Sequence, residues 1–219
     1  MYNFACARCD TLPLKSSVQK IRRFMRPGPT QMDMDEKCVG SIDEPLCELG
    51  RKKSAEAAVN FAVNCESRGE KINLIVSSPM KRAYATARIF SEHLEAPLTL
   101  DGLLRERHLG KIQGKPGNPY DNIFFPRNGY LPIGSTPLKE FEEQTAVFLE
   151  GLADRRFAPY PNVLFVTHYC RLIAIIKLIK GWNERSIMKY SSPANCEIKT
   201  FGIGPPCKKC GSQFYEPLV

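Results

Sequence analysis

A single α/β domain, built as a three-layer α/β/α sandwich on a mostly parallel sheet, is predicted by three features of this sequence. Its 219 residues give room for one domain and small appendages. Its 43% hydrophobic and 25% charged residues are globular values that exclude disorder and collagen-like repeats. Its compact apolar runs alternate with amphipathic helical patterns, and parallel strands need such crossover helices.

The elements follow in order. Lys20 to Met25 reads as a strand ending in the turn Pro27 to Pro29. Gly50 to Glu66 places Ala55, Ala58, Val59, Ala62 and Val63 at helical spacing. Ile72 to Val76 is a buried strand. Ser78 and Pro79 then set a cap and a proline at the start of a helix that buries Met80, Ala83, Tyr84, Ala87 and Phe90. Leu103 to Gly134 is rich in Gly, Pro and Asn and too long for a connector, so it is expected to cover the site or serve it. Leu138 to Leu152 is amphipathic, Val163 to Thr167 is a second apolar strand, Cys170 to Lys180 is helical, and Ile198 to Ile203 is a last strand. The organisation expected is a cysteine-bearing extension (residues 1–19), the domain (residues 20–203) and a tail (residues 204–219).

No apolar stretch approaches the roughly 20 residues that span a bilayer, and Leu172 to Ile179 is broken by Lys177. The opening MYNFACARCD lacks the basic-then-apolar pattern of a secretion signal. An intracellular protein is therefore expected, with the mitochondrion or the cytoplasm as its compartment. Thirty-one Lys and Arg against 23 Asp and Glu give a net charge of +8, which favours partners that bear phosphate, RNA among them. The cations are dispersed (Arg22, Arg23, Arg26, Lys52, Lys53, Arg155, Arg156, Lys208, Lys209), which reads as a general field and not one nucleic-acid face. Four of the nine cysteines form two C-x-x-C pairs, Cys6 with Cys9 and Cys207 with Cys210. If the termini meet, the four sulfurs can hold a structural zinc; otherwise they are separate reduced or redox pairs. Cys38, Cys47, Cys65, Cys170 and Cys196 sit singly and are expected to be small core residues.

In an open parallel sheet, reactive residues gather where strands end. Four such junctions carry phosphate chemistry here: Arg26 after the first strand, Arg82 in S-S-P-M-K-R-A, Glu106 in L-L-R-E-R-H-L-G, and His168 in V-L-F-V-T-H-Y-C. Arginine forks grip non-bridging oxygens, and a carboxyl can protonate a leaving group. His108 is expected to pack and His93 to be solvated.

These segments resemble the histidine phosphatase superfamily, the phosphoglycerate mutase-like proteins. R-P-G-P-T (Arg26 to Thr30) is similar to that family's R-H-G-E-T, E-P-L-C-E-L-G-R (Glu44 to Arg51) to its P-L-T-x-x-G, and I-V-S-S-P-M-K-R-A-Y-A-T-A to its S-S-x-x-x-R-A-x-x-T. L-R-E-R-H-L-G-K-I-Q-G is similar to E-R-H-Y-G-x-L-Q-G, and F-V-T-H-Y-C to V-x-H-G, all in the family's order. The resemblance implies phosphate-gripping roles for Arg26 and Arg82, a proton donor in Glu106 and a phosphate-binding histidine in His168. It also places Pro27 where the family has its nucleophilic histidine, Pro29 for its glutamate and Tyr169 for its glycine. Losing a covalent nucleophile costs on the order of 10⁵ to 10⁶ in rate. The expectation is therefore a domain without turnover, serving as an accessory or structural subunit with other proteins of a larger, organellar or ribonucleoprotein, assembly. Two alternatives stand beside it: an active phosphatase or phosphomutase, and a module that senses a phosphorylated ligand through Arg26, Arg82 and His168.

Overall fold

The computed structural model describes residues 20–117, 132–152, 156–183 and 193–203, together with the backbone of residues 215–218. The chain runs β1 (Lys20–Met25), α1 (Gln31–Met34), α2 (Glu48–Ser67), β2 (Leu74–Ser77), α3 (Lys81–Leu94), β3 (Leu98–Leu100), α4 (Leu138–Gly151), β4 (Asn162–Val166), α5 (Tyr169–Lys180), β5 (Ile198–Ile203) and β6 (Tyr215–Leu218). The strands form one sheet in the order β3-β2-β4-β1-β5-β6. The first four are parallel, β5 runs antiparallel to β1, and β6 runs antiparallel to β5.

The period-2 alternation of strand side chains separates two cores. Phe24, Val76, Val163 and Phe165 pack with Phe148 and Leu149 of α4 and with Leu172, Ile175 and Ile176 of α5. Their immediate neighbours Met25, Ile75, Leu164 and Val166 pack with Ala58 and Cys65 of α2 and Ala83, Ala87 and Phe90 of α3. The sheet is thus sandwiched between two helical layers, as predicted. Phe165 anchors the first core: it stacks on Phe24 at 5.0 Å and meets Phe148 and Phe157 edge-on, each at 5.4 Å. Such aromatic pairs add roughly 0.5–1.5 kcal/mol each beyond the area they bury.

Several expectations are corrected. The buried face of α2 is Gly50, Ser54, Ala58 and Cys65, whereas Val59 and Val63 are exposed. Small residues win that face because the helix lies flush on backbone, as described below. Tyr84 is likewise exposed, and Thr86 and Arg82 take its expected place inside. Ser78 does not cap α3, whose N-cap is Met80; the Ser78 hydroxyl accepts from the Met80 N–H at 3.3 Å. Arg22 and Arg23 do not contribute to a surface field. Arg22 is fully buried, donating to the carbonyls of Phe157, Tyr160 and Pro161 at 3.2, 3.0 and 3.1 Å, and Arg23 pairs with Glu70. β3 carries no clear sequence signal because its three residues lie at the sheet's edge, half-buried or exposed. β6 lies in the stretch read as a tail. Both C-x-x-C pairs lie outside the described residues, and no group of three His, Cys, Asp or Glu among the described residues could hold a metal ion. No helix among the described residues is long and apolar enough to cross a membrane.

Candidate active site

The carboxyl ends of β1, β2 and β4, three adjacent strands, deliver Arg26, Ser78 and His168 to one edge of the sheet. The loop after β1 is set by close contact with α2. A Cβ on Gly50 would stand 2.0 Å from the Pro29 carbonyl oxygen, and one on Gly28 would stand 2.4 Å from the Ser54 hydroxyl. Only glycine permits that approach. Cys47 is half-buried and not a core residue. It caps α2, its sulfur accepting from the Gly50 N–H at 3.3 Å, and its own N–H donates to the Pro29 carbonyl at 3.2 Å. From α3, the Thr86 hydroxyl accepts the Gly28 N–H at 3.1 Å.

Thr30 opens α1 with a capping box. Its hydroxyl accepts the Asp33 N–H at 3.2 Å, and Asp33 Oδ2 accepts the Thr30 N–H at 2.8 Å and its O–H at 2.9 Å. This one turn folds Asp33 back over Arg26, whose Nη2 lies 3.0 Å from Asp33 Oδ1. Arg26 Nη1 donates to the Pro193 carbonyl at 3.3 Å, and the guanidinium lies 5.5 Å from the centre of the Tyr169 ring. The segment before β5 closes the same wall: Cys196 N–H donates to the Arg26 carbonyl at 2.9 Å, and Asn195 Nδ2 donates to that of Pro27 at 2.9 Å.

Arg26, Pro27, Arg82, Glu106 and His168, which the sequence placed at four separate junctions, all line one cavity of about 50 Å³. Arg82 is 4% exposed and also organises the rim, donating from Nη1 to the Ile42 carbonyl and from Nη2 to that of Gly40, each at 2.8 Å. Burial lowers its pKa, while the charges of Glu106 and Asp33 act to raise it. Glu106 is held by backbone amides on both oxygens, Oε1 accepting from Arg107 at 2.8 Å and Oε2 from Cys170 at 3.1 Å.

His168 is 1% exposed. Burial, then the positive charges of Arg82, Arg171, Arg26 and Arg105, hold its pKa well below the ordinary imidazole value, so it is neutral at neutral pH. Its Nε2 lies 2.8 Å from Ser78 Oγ. That hydroxyl accepts the Met80 N–H and keeps one proton to give; where it gives it to Nε2, the imidazole's own proton sits on Nδ1. Nδ1 is buried and has no hydrogen-bond partner. An orphaned buried N–H costs roughly 1–3 kcal/mol until an acceptor arrives.

Three groups at or beside the cavity went unrecognised in the sequence. Asp33 lines it but sits in a short turn with no hydrophobic period. Cys170 lines it, buried, with its thiol pKa pushed well up by burial and next by the Glu106 charge. Arg171, which stands just before the apolar run Leu172 to Ile179, is buried. It stacks 3.8 Å from the Phe141 ring centre and donates to Thr145 Oγ1 at 2.6 Å, and burial brings its pKa down to about 10. His108 is exposed, contrary to expectation, because its Nδ1 accepts the Gly110 N–H at 2.9 Å in a turn at the surface. His93 is exposed, as expected.

Two guanidinium groups, two carboxylates and a buried imidazole thus line one cavity of an α/β sandwich, a set of groups that suits an anionic ligand. The profile of the histidine phosphatase superfamily (branch 1) matches residues 23–210, and the chain belongs to that family. A protein of Bacillus subtilis named uncharacterized phosphatase PhoE is 31% identical over 165 residues, covering 72% of this chain and 76% of that one. Glucosyl-3-phosphoglycerate phosphatase of Mycolicibacterium vanbaalenii is 34% identical over 97 residues, 43% of this chain and 40% of its own. Among solved structures, a mycobacterial glucosyl-3-phosphoglycerate phosphatase in complex with VO3 has the same fold. Its TM-score is 0.73 at 21% identity, over 91% of this chain and 98% of that one.

These relatives overturn the expectation of a non-enzyme, accessory domain, since proteins matching this chain are named as phosphatases. The physical reason is that the loss at Pro27 bears on one route only, a covalent phosphohistidine. The arginines, the imidazole and the carboxylates still line one cavity, and in a triad enzyme stripped of its nucleophile the oxyanion hole and substrate binding alone sustain rates roughly 10³–10⁴ above water.

Proposed function

We propose that this protein is a phosphatase that hydrolyses a phosphomonoester in the cavity between Arg26, Arg82, Glu106 and His168. The observation that carries the reading is the buried His168 Nδ1, a ring nitrogen without a hydrogen-bond partner on a residue that lines a cavity together with two guanidinium groups. A phosphate dianion is the ligand such a set fits, because it supplies acceptors to Nδ1–H and charge to both arginines. The neutral imidazole donates this hydrogen bond while leaving the positive charge to Arg26 and Arg82, and Glu106 supplies a proton to the departing alcohol. Membership of a family with named phosphatases supports the same reading.

The test is hydrolysis of p-nitrophenyl phosphate by the purified full chain. Turnover inhibited by vanadate and lowered about 10²–10³-fold in His168→Ala is expected, the magnitude of losing one preorganised donor. Hydrolysis no faster than in buffer would overturn the reading.

A further inference from the structure

We propose that phosphoryl transfer here is a single displacement by water, in which Asp33 takes the water's proton and Glu106 gives one to the leaving alcohol; this rests on the phosphatase reading above. Two carboxylates line the cavity from different walls. Asp33 belongs to the β1 side, tied to Thr30 and Arg26 on either side of Pro27. Glu106 belongs to the α5 side, tied to the Cys170 amide. Both are fixed by their hydrogen bonds, so neither must be recruited from solvent when substrate enters. Paired carboxyl groups held in different surroundings are how one site supplies both a base and an acid.

The groups that could attack phosphorus in place of water are disqualified by their own contacts. Pro27 has no nucleophilic atom. His168 Nε2 is engaged with the Ser78 hydroxyl at 2.8 Å, and with that hydroxyl donating to it the ring proton lies on Nδ1, so neither nitrogen offers electrons to phosphorus. Cys170 is buried beside Glu106 and stays a thiol, while the thiolate is the reactive form. Asp33 already spends Oδ1 on Arg26 and Oδ2 on two Thr30 donors, which blunts it as a nucleophile. Accepting a proton needs only one remaining lone pair of the four that a carboxylate carries.

The step balances. The water oxygen forms a bond to phosphorus as the bond from phosphorus to the ester oxygen breaks. The water's proton goes to Asp33, and the ester oxygen leaves as the alcohol with a proton from Glu106, whose carboxylate takes that proton up from solvent as the phosphate dianion binds beside it. As Asp33 is neutralised, Arg26 loses its counter-charge and pairs with the product phosphate. Exchange with solvent returns both carboxyls to their starting states.

The deciding experiment follows configuration at phosphorus. A phosphomonoester made chiral with sulfur and oxygen isotopes is hydrolysed by the wild-type chain in isotopically labelled water, and kcat and its pH profile are measured in parallel for Asp33→Asn. Asparagine keeps one acceptor oxygen, for Thr30 or for Arg26, and cannot take a proton. Inversion is expected, with kcat lowered about 10²–10⁴-fold in Asp33→Asn, the acid limb of its pH profile lost and inhibition by inorganic phosphate kept. Retention, or a phosphoryl label on His168, overturns the inference and leaves the phosphatase reading standing. Inversion with an unchanged kcat in Asp33→Asn overturns the role of Asp33. No hydrolysis by the wild type overturns the phosphatase reading and this inference with it.

Discussion

The imidazole of His168 connects burial, charge and pH in one side chain. Unfolded, a histidine titrates near 6.5; folded, His168 titrates well below its usual value because burial and then four nearby arginines oppose a further positive charge. As pH falls through about 6.5, the unfolded chain binds a proton that the folded chain refuses, so the unfolded state gains. Above that pH the group contributes no slope. Stability should therefore drop on acidification by up to about 1.4 kcal/mol per pH unit from this residue alone. Urea melts of wild type and His168→Asn at pH 7, 6 and 5 test this, and the variant should show the shallower decline. Parallel declines would rule it out. His93 and His108 are both exposed. At this scale the sequence was informative where a residue stood at a strand end: Arg26, Arg82, Glu106 and His168 do meet. It was silent on Asp33 and Arg171, whose positions depend on a single helical turn and on packing against Phe141, contacts that no local spacing encodes.

Helix α2 shows how an element can be recognised and its face misjudged. Hydrophobic periodicity nominated Val59 and Val63, which are 47% and 58% exposed, while Gly50, Ser54 and Ala58 are buried. Close approach to backbone selects the absence of side chain, which a hydrophobicity pattern scores as nothing. The strands show the converse. β2 and β4 are buried on both faces and read as apolar runs, whereas β3, at the sheet's edge and half-buried or exposed, has no such signature. Gly50→Ala should be more damaging than its chemistry implies, since its Cβ meets the Pro29 carbonyl at 2.0 Å and backbone must yield. A loss of roughly 1–3 kcal/mol or more is expected from such overpacking, with a weakened response to phosphate because Pro29 belongs to the loop that carries Arg26. Val63→Ala on the exposed face should stay within about 0.5 kcal/mol. Thermal denaturation of both variants, with and without phosphate, compares the two faces directly; equal melting temperatures would show that α2 does not seat the loop.

Across the whole molecule, net charge turns out to be a poor guide to surface. Five arginines (Arg22, Arg23, Arg82, Arg107 and Arg171) are buried, two of them bracing the first strand and the others clustered around the site, so part of the +8 is internal architecture. The sheet that carries the site has its parallel core in β3-β2-β4-β1 and gains β5 and β6 as an antiparallel flank. β6 pairs Tyr215 to Leu218 with Ile203 to Thr200, covering the outer edge of a strand whose Phe201 and Ile203 are core residues. An uncovered edge with unpaired N–H and C=O groups is a template for another chain. Removal of residues 204–219 leaves the strand pairs β1–β4 and β1–β5 in place but bares that edge. The truncated chain should melt at a lower temperature and form concentration-dependent oligomers in size-exclusion chromatography. Restoring polar contacts alone would not cure it, whereas Thr200→Pro in the truncated chain should reduce association, because proline blocks edge pairing. A truncated chain that matches the full one in melting temperature and elution volume would mean that β6 contributes nothing to the sheet that presents Arg26.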